Sequence, residues 1–512
     1  MTKWRRQAKD PRIAKEPQIE NSPDDELKTE NDIPLPAAGA RIRAHSEELR
    51  RELGLFDLVM AQVLLVIVLD FFGTAAKAGS AHVVFWLVAF VLFFIPLAMV
   101  VAHLNRLMPL EGGLYEWARL AFGDKVGFLV AWNLWLFVML YVAVIGLVTT
   151  TFVAYALGPA AAWIASSRWL ILAVSFVLIL AMMFLTALGL RVGKWLSNAG
   201  SIATLITLAI LIATPLLNRG QGTLAGYHPL RLTMPPLTVF SLSVFSKMMF
   251  GALSGFEYVA IFAGECRNPA RNLTRSVLIT APFIALIYIF ATSSILAFVS
   301  PEAVDVVGPI PQVLRLGSRA FGFAGFIVPL AIVLLFVNYP TSFSVYFSAS
   351  ARLPMVAGWD HLLPEWFTRL HARYKTPVNS ILLLGAVTLA GSVVALIGVG
   401  PQEAYELLLT WAFTFYALAY LALFAIPFWS PKDRGLRPRL WLRLAAVSGF
   451  LMTLLYVVLS IFPIVAVQSS WGYSLKIAGG VLAANALGWA IYRAGRQKEG
   501  ARSHDGLGNS LW

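Results

Sequence analysis

Apolar runs of about twenty residues recur along nearly the whole of this chain, and each is long enough to cross a bilayer as a helix. Inside lipid no water serves the backbone, so spanning segments are helices or closed barrels. Barrel strands read as alternating segments of about ten residues, whereas these runs are continuous. Only 13% of residues are charged, about half the share found in soluble domains. The reading is an all-α integral membrane protein with about twelve transmembrane helices. Spans are expected near 55–76, 83–105, 126–157, 169–189, 195–217, 237–264, 277–299, 321–350, 378–398, 403–428, 440–466 and 471–493.

The net charge of +13 invites a nucleic-acid reading, but its distribution excludes one. Residues 1–53 hold eleven basic and eleven acidic side chains, so the excess lies wholly between later spans. Loops on the side shared by both termini hold seventeen Lys and Arg, from Arg106 to Arg443, against six on the other, from Lys77 to Arg319. That asymmetry puts both termini in the cytoplasm. Residues 1–53 form a cytoplasmic tail, polar and disordered over 1–40, with a short amphipathic helix at 41–53. The transport core is expected over 54–430, spans 11 and 12 over 431–495, and a cytoplasmic C-terminal tail over 496–512. Residues 1–50 hold no signal peptide, so the first span is its own targeting signal. One cysteine, Cys266, excludes an internal disulfide and a cysteine-built metal site. No nucleophile–base pairing, phosphate loop or HExxH is present, so neither an enzyme nor a cofactor is expected.

Two spans carry interruptions. Span 1 has Asp70, Gly73 and Thr74 after an unbroken aliphatic run; span 6 has Gly251, Ala252, Ser254 and Gly255 in its middle. They open two successive sets of five spans, and matched broken helices in two halves mark a midplane solute site in an inverted-repeat transporter. Glycines that only permit close helix packing are the alternative. Charges at membrane depth are costly and kept for function or pairing; here they are Asp70, Lys247 and Glu257. Asp70 can bind a substrate ammonium, or form an ion pair with Lys247. Lys247 in turn can meet a substrate carboxylate. Glu257 can take a proton or a cationic group, or hold the unwound backbone. Trp135, Phe250, Phe256 and Tyr339 are candidate walls or gates, each equally readable as packing. Asn133 in span 3, and Asn338, Thr341, Ser342 and Ser344 in span 8, can line a cavity or bond helix to helix.

EGGLYEWARLAFG (111–123) resembles the loop after span 2 of the amino acid–polyamine–organocation (APC) permeases. GFEYVAIFAGECRNPARNLTRSV (255–277) resembles that superfamily's span 6 signature, and ARLPMVAGWDHLLPEWF (351–367) its loop after span 8. FFIPLAMVVAHLNRLMPLEGG (93–113) is most similar to the glutamate/γ-aminobutyrate antiporter branch. The resemblance covers roughly 53–430. It implies a five-plus-five inverted repeat, a solute held between broken helices 1 and 6, and alternating access driven by protons or exchange. It departs at span 1, where members carry a Gly-Ser-Gly-Ile-Phe type segment whose amides hold a substrate carboxylate; this chain reads Val68-Leu69-Asp70-Phe71-Phe72. A carboxylate there repels another unless protonated or paired.

The expected function is secondary active transport of amino acids or related amines. The alternatives are a polyamine or organic amine carrier, and a transport-inactive nutrient sensor signalling through the N-terminal tail. The expected partners are a small amino acid or amine, protons and the lipid bilayer; the sequence leaves the oligomeric state open.

Overall fold

A computed structural model describes residues 51–508 except 109, 111, 189, 220–223, 225–231, 319–323, 360–362, 364, 373, 375, 398 and 430–438. The expected disorder over 1–40 and most of the amphipathic helix at 41–53 lie outside the described residues. Among the described residues the regular elements are helices, and the sole extended pairing is a bridge between Leu53 and Cys266.

Span 1 is two half-helices, α1 (Leu55–Val66) and α2 (Phe71–Ala76). There follow α3 (Gly79–Leu107), the interfacial α4 (Leu114–Phe122), α5 (Asp124–Leu157), α6 (Arg168–Ala187) and α7 (Leu190–Leu217). The second half opens with α8 (Val239–Leu253), which passes into a 3₁₀ segment, Phe256–Glu265. Next come α9 (Pro269–Leu296), α10 (Pro309–Gly317), α11 (Ala324–Trp359), α12 (Val378–Ala395) and α13 (Pro401–Trp429). α14 (Leu440–Leu459) and α15 (Ser470–Gly508) complete the chain. Ten helices among the described residues are long and apolar enough to cross a membrane. Two shorter apolar helices, Leu55–Val66 and Val378–Val394, stand where spans 1 and 9 are expected. α15 continues past the expected start of the C-terminal tail at 496, as one helix to Gly508.

Both interruptions exist, but not where every small residue suggested. In span 1 the helix stops at Val66 and resumes at Phe71. Gly73 and Thr74 sit inside α2, not in the break. Gly73 instead allows a close approach: a Cβ there would lie 2.9 Å from the Val306 Cα. No glycine or proline stops α1; it ends in a β-branched run, Val66-Ile67-Val68, of low helix propensity. The carbonyls it leaves open are taken by hydroxyls from other helices. Ser342 donates to the Leu64 carbonyl at 3.2 Å, Tyr346 to that of Leu65, and Tyr288 to that of Val66 at 2.7 Å. In span 6 the break is Ser254–Gly255, with Gly255 at φ +125°, a conformation that L side chains rarely adopt. Gly251 lies inside α8, and the Phe71 ring occupies the place of its missing side chain, 2.0 Å from an ideal Cβ.

The two halves are tied at the break. Tyr288 on α9 also reaches the Ala252 carbonyl at 2.8 Å, and its oxygen accepts from the Val68 N–H at 3.0 Å. One hydroxyl thus serves the ends of α1 and α8 together. Around this junction α13 packs along α5 and α14, while α7 packs along α11.

Candidate functional site

Asp70 ends the break in span 1 and is 1% exposed. Its Oδ1 accepts from the hydroxyls of Tyr405 on α13 at 2.7 Å and Tyr339 on α11 at 3.4 Å; its Oδ2 accepts from Tyr141 on α5 at 3.1 Å. Three helices thus converge on one carboxylate. Glu257 follows the break in span 6 and is equally buried. Its two oxygens accept from Tyr416 and Tyr420, both on α13. The Tyr420 oxygen in turn takes the Gly255 N–H at 2.8 Å.

The expected Asp70–Lys247 ion pair does not form. Lys247 turns to α13 instead, with Nζ 2.5 Å from Glu406 Oε1, both side chains about 5% exposed. Thr410 and Tyr473 complete that cluster, their hydroxyl oxygens 3.3 Å and 3.5 Å from Nζ. Asp70 and Lys247 lie on separate spans, and the sequence does not show that Glu406 faces the lysine across α13. Among the described residues neither Asp70 nor Glu257 has a basic partner.

A layer of rings lies between the two carboxylates. Phe137 stacks on Tyr416, centroids 4.1 Å apart, and touches Tyr141 at 5.6 Å. Phe413 likewise meets Tyr141 at 5.5 Å and Tyr416 at 6.2 Å. A tyrosine on Asp70 and a tyrosine on Glu257 are therefore bridged by a single phenyl ring, twice over.

The remaining expected site residues fall in several places. Ala252 offers its carbonyl to Tyr288, and the Ser254 hydroxyl is buried without a partner. Thr74 is buried in α2, its carbonyl bonded to the Lys77 N–H. Phe250 packs on Phe93, Tyr416, Tyr420 and Tyr456, against the Glu257 tyrosines. Phe256 stacks on Phe94 at 5.0 Å. Trp135 is not brought to the carboxylates; its ring lies against Trp132, whose Nε1 donates to the Ala484 carbonyl on α15. The other polar side chains bond helix to helix: Asn133 to Asn485, and Asn338 to Thr204. The tyrosines that hold Asp70 and Glu257 were not singled out, apart from Tyr339. Their signal is a spacing on α13: Tyr405 and Tyr416 are eleven residues apart, about three turns, and so share a helix face.

A second closure lies at the far end of the 3₁₀ segment. Arg352 Nε and Nη2 donate to Glu265 Oε1 at 3.1 Å and 2.9 Å, both side chains buried. Leu53 adds backbone bonds to either side, its N–H to the Glu265 carbonyl at 3.1 Å and its carbonyl from the Arg267 N–H at 2.9 Å.

The amino acid permease family model matches residues 53–482. An uncharacterized transporter of Legionella pneumophila is 26% identical over 384 residues, 73% of this chain and 80% of the relative. The branched-chain amino acid permease BcaP of Bacillus subtilis is 24% identical over 385 residues, 71% and 80% of the two chains. The crystal structure of MhsT in complex with L-phenylalanine superposes with a TM-score of 0.59 at 15% identity, over 79% of this chain and 97% of that one. That likeness is one of fold and agrees with a five-plus-five repeat with broken first and sixth helices. The chain belongs to the amino acid permease family, within the APC superfamily: a multi-pass membrane transporter and not an enzyme.

Proposed function

We propose that this protein is a secondary active transporter that carries amino acids or related amines across the plasma (inner) membrane by alternating access, with both termini cytoplasmic. The observation that carries the reading is Asp70: a buried carboxylate at a helix break, held by tyrosines from three helices, with no basic partner among the described residues. A carboxylate desolvated in this way is costly unless a proton or a cation neutralises it. A substrate ammonium is the cation such a site accepts. Glu257, held alike by Tyr416 and Tyr420, is the second titratable group at the breaks and the candidate for proton coupling.

The alternative of a carrier for amines without a carboxylate is favoured by one observation. The glycine-rich amides that would receive a carboxylate are replaced by Val68-Leu69-Asp70, and the Val68 N–H is already bonded to Tyr288.

The test is uptake in proteoliposomes under imposed pH and sodium gradients. Asp70→Asn keeps the shape and the tyrosine contacts but removes the charge, and should abolish saturable uptake. Uptake indifferent to Asp70→Asn would sink the assignment of the ammonium site, and flux that follows sodium but ignores a pH gradient would sink proton coupling.

A further inference from the structure

Two buried carboxylates stand at the two helix breaks, and neither has a basic partner among the described residues. One anion at a transport site is neutralised by one ammonium. Two anions, separated by a single layer of phenyl rings, ask for two positive charges on one small molecule. We infer that the substrate is a dication, a short α,ω-diamine or its guanidino equivalent, bound with one cationic end at Asp70 and the other at Glu257. The inference rests on the proposed reading of Asp70 as the ammonium site and extends it to the second carboxylate.

Three features support it. First, the groups that line the interval suit a methylene chain between cations: Phe137 and Phe413 are apolar and each touches tyrosines of both carboxylates. Ring faces also attract ammonium groups. Second, the backbone offers little to a substrate carboxylate. The Val68 N–H goes to Tyr288 and the Gly255 N–H to Tyr420, while Phe71 and Phe72 donate to the carbonyls of Val68 and Leu69. A carboxylate placed here would face Asp70 or Glu257 with few donors to offset the repulsion. Third, the charge balance constrains the cycle. An empty carrier with both groups ionised would move two uncompensated charges through the bilayer core, which is disfavoured. The return step therefore needs both carboxylates protonated or a second dication bound, which makes the protein an exchanger. Proton and substrate then compete for the same oxygens of Glu257.

The test compares diaminobutane, butylamine and leucine on the purified full chain, by ligand titration of intrinsic fluorescence and by counterflow in proteoliposomes. Diaminobutane should bind about 10- to 100-fold tighter than butylamine, the value of a second charge-assisted contact. In Glu257→Gln that preference should collapse towards unity. Because the wild-type comparison needs no variant, a poorly folding Glu257→Gln leaves the inference exposed to refutation. If wild-type protein binds diaminobutane no tighter than butylamine, or takes leucine and not the diamine, the dication inference fails while amine or amino acid transport stands. Preference for the diamine that survives Glu257→Gln also overturns it. If monodisperse protein neither binds nor exchanges any of the three, both readings fail together.

Discussion

Lys247→Met is the substitution whose cost the structure states most directly. It removes the cation from a pair in which Nζ and Glu406 Oε1 are 2.5 Å apart and both side chains are buried. Breaking such a pair from one side costs about 3–5 kcal/mol, because an uncompensated charge is left behind. Glu406 keeps some help: the Thr410 hydroxyl lies 3.5 Å from Oε1, and Thr410 and Tyr473 bond each other at 2.8 Å. With those hydroxyls available the lower end applies, about 3 kcal/mol. Removing both charges, as Lys247→Met with Glu406→Leu, leaves an apolar contact of similar volume and should restore most of the loss. The coupling between the sites is then about 2–3 kcal/mol, within the range seen for contacting residues. Equilibrium unfolding of wild type, both single variants and the double variant in mixed micelles closes the cycle. A Lys247→Met protein as stable as wild type, or a double variant no better than the worse single one, would refute the claim that the two charges act as one unit.

Two further outcomes follow from close packing at the breaks. Gly255→Ala should destabilise the protein by about 1–3 kcal/mol, since its backbone sits at φ +125° and an added Cβ would lie 2.7 Å from the Leu65 carbonyl oxygen; unfolding in the same micelles at an unchanged midpoint would count against it. Arg352→Met should leave Glu265 buried without its guanidinium and loosen the segment it clamps. Cys266, the chain's one cysteine and buried, then reacts with a maleimide at least about tenfold faster; equal labelling rates in the two proteins would show that the pair does not hold this segment.

The membrane spans were legible because an apolar run of bilayer length has few other uses. The break in span 6 was legible for a local reason: Ser254-Gly255 places a glycine where the backbone needs a positive φ. The break in span 1 has no such local mark. Its carbonyls are satisfied by Ser342, Tyr346 and Tyr288, residues far off in sequence, so Gly73 drew the interruption several residues too late. The same non-locality misled the charge pairing. Asp70 and Lys247 were matched as the two opposite charges at depth, whereas Glu406 was read as lying near a helix end. The tyrosines hid in plain view, since a Tyr in an aromatic-rich membrane chain reads as packing until its hydroxyl is seen on a carboxylate.

α13 is where these features meet, and its geometry bears on how the site could open. Successive residues on a helix point about 100° apart. Tyr405 therefore faces Asp70 while its neighbour Glu406 faces Lys247 on α8. Eleven residues on, Tyr416 returns to the Tyr405 face and holds Glu257. One rigid helix thus grips the break in span 1, the first half of span 6 and the break in span 6. Moving α13 away from Asp70 pulls on the Lys247–Glu406 pair, and a buried ion pair is made or broken rather than gradually stretched. Tyr288 has the same discrete character: one hydroxyl proton serves the Val66 and Ala252 carbonyls, so parting α1 from α8 obliges it to keep one and release the other. Elements with two arrangements and little between them are what convert occupancy of a small site into a movement of whole helices. On this account the ligand at Asp70 and Glu257 acts on the gate through α13, because both of its carboxylates are held by that helix.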